Sequence, residues 1–276
     1  MLIRIGHTPC PGDAFMFWAL LASNKVDVGE FEFEPRAEGI ETLNLWARKG
    51  KLEVTALSVP AYPHVQERYV LLPHGASMGT GYGPVVISHR PLGREQLREV
   101  EIAVPGNTTT SFLVLQMYLG QDFRYRVVPA KGILDEVKSS RAEAGLVIGE
   151  SQPTYRSAGL AKSLDIGEWW LLETGLPLPL TVNVARRDLG LHLPKLSNVI
   201  RDSILAGLGD RRRAMAYAMR FGRSSDAVIT DRFVGMYVNE LSFDFGDEGR
   251  QAIAELLKRA QAINAFERPV KIEFVA

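Results

Sequence analysis

Residues 1–22, MLIRIGHTPCPGDAFMFWALLA, decide the fold of this chain because they read as a strand, a sharp turn and a helix. The apolar run from Leu2 to Ile5 predicts a strand, and the two prolines after it force a turn, since proline fits neither a sheet nor a helix interior. Apolar residues return at helical density over residues 14–22, and Asp13 is placed to cap that helix by accepting backbone N–H bonds. A strand that ends in a polar turn before a helix makes a concave, donor-rich site for small anions.

Length and composition narrow the class of protein. The 276 residues suit one large domain or two small ones, and 46% hydrophobic with 23% charged residues is typical of a globular chain. The formal net charge is zero, so we expect no nucleic-acid partner. The single cysteine, Cys10, excludes an intramolecular disulfide and a cysteine-cluster metal site, and we expect no metal. The sequence shows no secretory signal pattern and no apolar window of membrane length, so we expect a cytoplasmic protein without membrane contact.

Strands and helices alternate along the first two thirds of the chain. Apolar segments at 54–58 and 102–104 predict strands that each end in a polar turn, and a further strand is predicted at 144–148. After residue 193 the pattern is helical throughout. The glycine-rich segment 79–84 is a hinge candidate, and the proline-rich segment 174–180 is a candidate for a second crossing between two units. The alternation predicts mostly parallel sheets.

This organisation predicts an α/β protein of two lobes. Residues 1–88 and 185–276 would form a larger, discontinuous lobe that includes the C-terminal helices, and residues 89–184 would form a smaller α/β lobe. Two such lobes joined by two crossings are typical of a type II periplasmic-binding-protein-like fold. In that fold a small ligand binds in the cleft between the lobes.

Polar residues follow three of the predicted strands and are expected to meet at the cleft. They are Thr8 with Asp13, Ser58, and the run Thr108-Thr109-Thr110. At a helix N-terminus, threonine hydroxyls and free N–H groups can hold a carboxylate or phosphate without a lysine. The alternative is that Asn107 or Thr108 only caps the helix.

The histidines and the cysteine have no metal-site spacing. His7 lies where the first strand meets the cleft, and a histidine there can titrate near neutral pH and act as a base. His74 is expected on the surface or in a loop. Cys10 could be a nucleophile, but no basic partner is evident, which favours a buried structural thiol.

Several short strings carry a resemblance to a known enzyme family. They are Thr8-Pro9-Cys10-Pro11-Gly12-Asp13-Ala14-Phe15, Glu41-Thr42-Leu43-Asn44, Leu57-Ser58, Val104-Pro105-Gly106 with Thr109-Thr110, Glu143-Ala144-Gly145-Leu146 with Glu150-Ser151, and Thr174-Gly175-Leu176-Pro177-Leu178-Pro179. On them the chain is identified as a member of the 1,4-dihydroxy-6-naphthoate synthase family, which acts in the futalosine pathway of menaquinone biosynthesis. The resemblance implies a lyase that converts cyclic dehypoxanthinyl futalosine to 1,4-dihydroxy-6-naphthoate, releasing a dihydroxyacetone fragment and using no cofactor.

The chain departs from the family pattern at four positions. The resemblance implies a catalytic histidine, a general base, directly before Glu150-Ser151, and here that position is Gly149. The family's substrate-binding Lys-Leu-Ser is Ala56-Leu57-Ser58, the asparagine of the opening motif is Gly12, and the histidine before the threonine pair is Thr108. Glycine cannot move a proton, and loss of a general base costs roughly 10²- to 10⁴-fold in rate.

Three hypotheses therefore stay open. The family reaction could proceed with His7 or Glu150 as the base, or a related lyase could act on another carboxylate-bearing substrate. The third hypothesis is a non-catalytic protein that binds a small carboxylate. The oligomeric state is left open. The expected ligand contacts are Thr8, Asp13, Ala56, Leu57, Ser58, Thr108, Thr109, Thr110 and Ser151.

Overall fold

Strands and helices alternate as far as residue 186, and helices follow. The computed structural model describes residues 1–23, 25–222 and 226–276. The strands are β1 (Leu2–His7), β2 (Glu32–Ala37), β3 (Val54–Ser58), β4 (Tyr69–Leu71), β5 (Ser77–Gly79), β6 (Val85–Ser88), β7 (Ile102–Val104), β8 (Tyr125–Val127), β9 (Ala144–Val147), β10 (Ala161–Asp165) and β11 (Leu178–Arg186). The helices are α1 (Pro11–Leu21), α2 (Ile40–Arg48), α3 (Arg94–Glu99), α4 (Thr110–Leu119), α5 (Ile133–Lys138), α6 (Ile166–Thr174), α7 (Leu193–Gly209), α8 (Arg211–Ala218), α9 (Ala227–Tyr237), α10 (Glu240–Phe243) and α11 (Gly246–Ala262).

The strands form two sheets. The first has the order β2-β1-β3-β11-β4, with β5 paired to β11, and the second has the order β10-β6-β9-β7-β8. In each sheet a strand leads through a polar turn into a helix: β1 into α1 and β7 into α4. These two turns bring the predicted polar residues to the inner edges of the sheets.

The expectation of mostly parallel sheets is wrong, because both sheets are mixed. β1 pairs in parallel with β2 and β3, and β7 pairs in parallel with β8 and β9. The strands next to the crossings run the other way: β6 is antiparallel to β9 and β10, and β11 is antiparallel to β3, β4 and β5. A strand that arrives from the other sheet is not bound by the right-handed crossover rule, which applies within one sheet.

The chain crosses between the sheets twice, in the two segments that the sequence suggested. The glycine-rich segment joins β5 to β6, and α6 with the proline-rich segment joins β10 to β11. The crossings touch backbone to backbone, since a Cβ on Gly167 would lie 2.1 Å from the Tyr82 carbonyl oxygen. Val85–Ser88 belongs to the second sheet and Leu178–Arg186 to the first. The first crossing therefore ends before the predicted lobe boundary at residue 88, and the second crossing ends before the predicted boundary at residue 184.

Helix α1 is buried along almost its whole length. It packs against α7, α8 and α9 as well as against β2, so that Phe15 and Phe17 are both inaccessible to solvent. This burial explains why apolar residues surround the helix instead of forming one stripe. The same position carries the polar first turn of α1 into the interior, where the candidate site lies.

Candidate functional site

A cavity of about 220 Å³ lies where the two sheets face each other. Its wall combines hydroxyl groups, two carboxylates and apolar side chains, with no Lys, Arg or His among the described lining residues. It is lined by Thr8, Pro9, Cys10, Gly12, Asp13, Gly39, Ile40, Ser58, Ser77, Pro84, Thr109, Thr110, Ser111, Ala130, Ile148, Gly149, Glu150, Gln152, Leu180, Thr181, Phe233 and Tyr237.

The turn from β1 into α1 holds a buried carboxylate. Oδ2 of Asp13 accepts a hydrogen bond from the Thr8 backbone N–H at 2.7 Å and from the Thr8 hydroxyl at 2.8 Å. Asp13 is therefore in the first helical turn and bonds back to Thr8, whereas the N-cap residue is Cys10, so the expected capping role of Asp13 is wrong. Burial raises the pKa of Asp13, against the opposing effects of His7 and of the hydrogen bonds from Thr8 and Cys10.

His7 and Cys10 flank this carboxylate. His7 lies behind the cavity wall: it is 1% exposed, its Nδ1 is 2.9 Å from the Thr8 carbonyl oxygen, and its ring contacts Phe17 and Phe221. Cys10 does line the cavity, but burial and the nearby carboxylate of Asp13 raise the pKa of its thiol to about 12. A thiol with that pKa stays protonated at neutral pH, which favours the structural interpretation of Cys10.

A chain of hydrogen bonds joins the two sheets beside the cavity. Asn44 on α2 donates to the hydroxyls of Ser58 at 3.0 Å and Thr108 at 2.9 Å, and its Oδ1 accepts from the Ser58 N–H at 2.9 Å. The Thr108 hydroxyl in turn donates to Glu41 Oε2 at 2.6 Å. Ser58 and Thr108, from different sheets, are thus held by the same buried amide.

The threonine run ends at the N-terminus of α4. Thr109 is the N-cap residue: its hydroxyl oxygen accepts from the Phe112 N–H at 3.2 Å. The Thr110 hydroxyl donates to the Leu180 carbonyl at 2.6 Å. Both hydroxyls are occupied by the protein, so the donors that this helix offers to the cavity are the backbone N–H groups of its first turn.

Gly149 opens the opposite wall of the cavity. Its φ is +63°, in the left-handed region, and a Cβ added there would meet nothing within 4 Å. The Tyr237 hydroxyl lies 2.6 Å from the amide of Gln152, and in the amide orientation that pairs both its polar atoms, Gln152 also bonds the Gly149 N–H at 3.2 Å and the Gly83 carbonyl at 3.0 Å. This network links α9 to the turn that carries Gly149 and Glu150.

The predicted site residues divide into two groups. The cavity wall includes Thr8, Asp13, Ser58, Thr109, Thr110, Gly149 and Glu150. The others lie outside it: His7, Ala56, Leu57, Thr108 and Ser151. The side chains of Ala56 and Leu57 pack in separate hydrophobic clusters, and Ser151 is 9% exposed on a short 3-10 turn.

Sequence reasoning missed part of the wall. Phe233 and Tyr237 come from a C-terminal helix, and Ser77 and Thr181 come from β5 and β11. Asn44 belongs to a family-like string but had no assigned role. Its apolar neighbours on an amphipathic helix are the only sequence signal for a buried amide, and that signal is weak.

The sequence of this chain matches a known protein family. A family model described as menaquinone biosynthesis matches residues 3–262. The chain belongs to this menaquinone-biosynthesis family. Within the family it is similar to the 1,4-dihydroxy-6-naphthoate synthase of Thermus thermophilus, at 40% identity over 94% of each chain.

Solved structures place this family member in a wider fold class. A crystal structure of a protein from Archaeoglobus fulgidus matches with a TM-score of 0.91 and 38% identity, covering 96% of this chain and 98% of that one. The ligand-binding component of an ABC-type import system from Staphylococcus aureus matches with a TM-score of 0.72 and 14% identity, covering 100% and 96%. The expected periplasmic-binding-protein-like fold is confirmed. No helix in the described part of this family member is long and apolar enough to cross a membrane.

Proposed function

We propose that the protein is a 1,4-dihydroxy-6-naphthoate synthase, a lyase that splits cyclic dehypoxanthinyl futalosine into 1,4-dihydroxy-6-naphthoate and a dihydroxyacetone fragment. The observation that carries the proposal is the family match over residues 3–262, together with synthase relatives at 35–40% identity. The reaction belongs to menaquinone biosynthesis, and we propose that it takes place in the cytoplasm.

The cavity supports the binding of a carboxylate without a cationic side chain. We propose that the substrate carboxylate meets the first-turn N–H groups of α4, where the helix dipole favours negative charge. Ser58 and Thr8, on the facing turns, would contact the polar groups of the substrate. The apolar side chains of Ile40, Ile148 and Phe233 would cover its ring.

A second candidate function is binding of a small carboxylate without catalysis. It is favoured by Gly149, because this position cannot supply the family's histidine and leaves open space beside the cavity. A chain of this kind would keep the binding groups of α4 and lack turnover.

The test is turnover by the purified full chain with cyclic dehypoxanthinyl futalosine, following the dihydroxynaphthoate by mass, with thermal unfolding measured in parallel. Product formation supports the synthase. Stabilisation by the substrate without product supports the binder, and a ligand at one hundred times its Kd adds about 2.7 kcal/mol to the free energy of unfolding. The absence of both product and stabilisation would contradict both functions.

A further inference from the structure

Few groups on the cavity wall could carry a proton during the reaction. Among the described lining residues, the titratable side chains are those of Cys10, Asp13, Glu150 and Tyr237. Burial raises the pKa of both the Cys10 thiol and the Tyr237 hydroxyl, so each holds its proton at neutral pH. The choice of base therefore lies between the two carboxylates.

Asp13 has the geometry of a group that can hold a proton in a fixed place. Its side chain is 5% exposed, and both donors of Thr8 converge on the same oxygen, Oδ2, at 2.7 and 2.8 Å. Two donors fix the carboxyl plane and occupy Oδ2, which makes Oδ1 the oxygen that can take up a proton. The Thr8 hydroxyl also lies 3.0 Å from Cys10 Sγ, so Thr8, Cys10 and Asp13 form one polar cluster.

We propose that Asp13 is the catalytic residue that takes a proton from the substrate and returns it, and that Thr8 is its positioning residue. This inference rests on the proposed synthase function. It assigns to Asp13 the role of the family's catalytic histidine, whose position is Gly149 in this chain. The residue that the sequence pattern favoured, His7, is 1% exposed and does not line the cavity, but its charge acts on Asp13.

The proposed step balances without an oxidant or reductant. Asp13 takes the proton of a hydroxyl on the ring carbon that bears the three-carbon fragment, and that oxygen becomes a ring carbonyl as the carbon–carbon bond to the fragment breaks. The electron pair stays on the fragment carbon beside its ketone carbonyl, and this carbon takes the proton back from Asp13, while the ring carbonyl enolises to the aromatic hydroxyl of the product. The carboxylate is regenerated, and the fragment leaves as a ketone.

The surroundings of Asp13 suit this double role. Burial raises the pKa of the carboxyl towards the pH at which an enzyme works, where one group can both accept and return a proton. The other titratable groups that act on Asp13 are His7 and Cys10, and Glu150 and Tyr237 line the same cavity.

The decisive experiment compares Asp13→Asn with Glu150→Gln and with Asp122→Asn, a control at an exposed carboxylate that does not line the cavity. Asparagine keeps an acceptor for Thr8 but cannot hold the proton. We expect kcat of Asp13→Asn to fall roughly 10²- to 10⁴-fold, with stabilisation by the substrate retained and with Asp122→Asn unchanged. Turnover of Asp13→Asn at the wild-type rate would overturn the inference, as would loss of turnover only in Glu150→Gln.

A second variant tests the positioning role. Thr8→Val removes the hydroxyl that stabilises the charged form of Asp13, so the acidic limb of the kcat–pH profile should move to higher pH. An unmoved limb would overturn the role of Thr8, and this profile decides the matter if Asp13→Asn does not fold. If the wild-type chain forms no product, the proposed function fails and this inference fails with it, whereas turnover by Asp13→Asn leaves the proposed function standing.

Discussion

Replacing Asn44 by alanine should destabilise the protein strongly although it removes only a small polar group. Asn44 is 1% exposed and is hydrogen-bonded to the backbone of Ser58 and to the hydroxyls of Ser58 and Thr108. Asn44→Ala leaves the buried Ser58 N–H without its acceptor, which costs about 1–3 kcal/mol. Two further hydrogen bonds contribute about 0.5–1.5 kcal/mol each. We therefore expect the free energy of unfolding to fall by about 3 kcal/mol.

The matched control is Asn107→Ala, because Asn107 is exposed one residue before Thr108. A surface change of that kind should alter stability by less than about 0.5 kcal/mol. Both variants can be compared with the parent chain by urea unfolding followed by circular dichroism. A loss below 1 kcal/mol for Asn44→Ala, or equal losses for the two variants, would refute the view that this amide holds the two sheets together.

Three other outcomes can be checked with the same protein. Burial lowers the pKa of His74 to about 4, below its usual 6.5, so the unfolded chain binds the proton more tightly. The free energy of unfolding should therefore be highest above pH 6.5 and fall by about 3 kcal/mol as the pH drops to 4. Urea unfolding of His74→Gln should not show this pH dependence. Gly149→His should fold, because a Cβ added at Gly149 meets nothing within 4 Å, and the left-handed backbone should cost about 1–3 kcal/mol. The variant should also raise turnover in the mass assay, and a folded variant with no gain in turnover would contradict this expectation. With its thiol pKa at about 12, Cys10 should resist alkylation at pH 8 in the folded chain and react once urea unfolds it, so rapid labelling of the native chain would contradict the assignment.

The strand–turn–helix units could be predicted from sequence because their signals are local. The turn at Thr8 to Asp13 and the helix start at the threonine run depend on prolines, threonines and apolar periodicity within a dozen residues. The exact capping residue was not predicted, because Asn107 or Thr108 was expected and the N-cap is Thr109. The direction in which strands pair could not be predicted in this way. Pairing of β6 and β11 is fixed by contacts with strands distant in sequence, so their antiparallel arrangement has no local signal.

Side-chain direction was also beyond the sequence. All residues of β3 are buried, so its pattern does not alternate and cannot tell which side chains reach a ligand. Ser58 ends the strand and reaches the cavity, while Ala56 and Leu57 pack in the interior. His74 was expected on the surface or in a loop. It does lie in a loop, but it is buried at 2% exposure, with Nε2 2.9 Å from Ser197 Oγ, because α7 covers this loop from more than a hundred residues away.

The discontinuous path of the chain sets an order for folding during synthesis. Every strand of the second sheet has been translated by residue 165, whereas the first sheet still lacks β11, the strand that pairs with β3, β4 and β5. The edge strand β4 also forms a bridge through Leu71 to Phe274, which is translated well after β11. The second sheet can therefore close while β1 and β3, which are made first, remain exposed with an open edge. This interval is when nascent chains of this protein are most open to aggregation and in most need of chaperones.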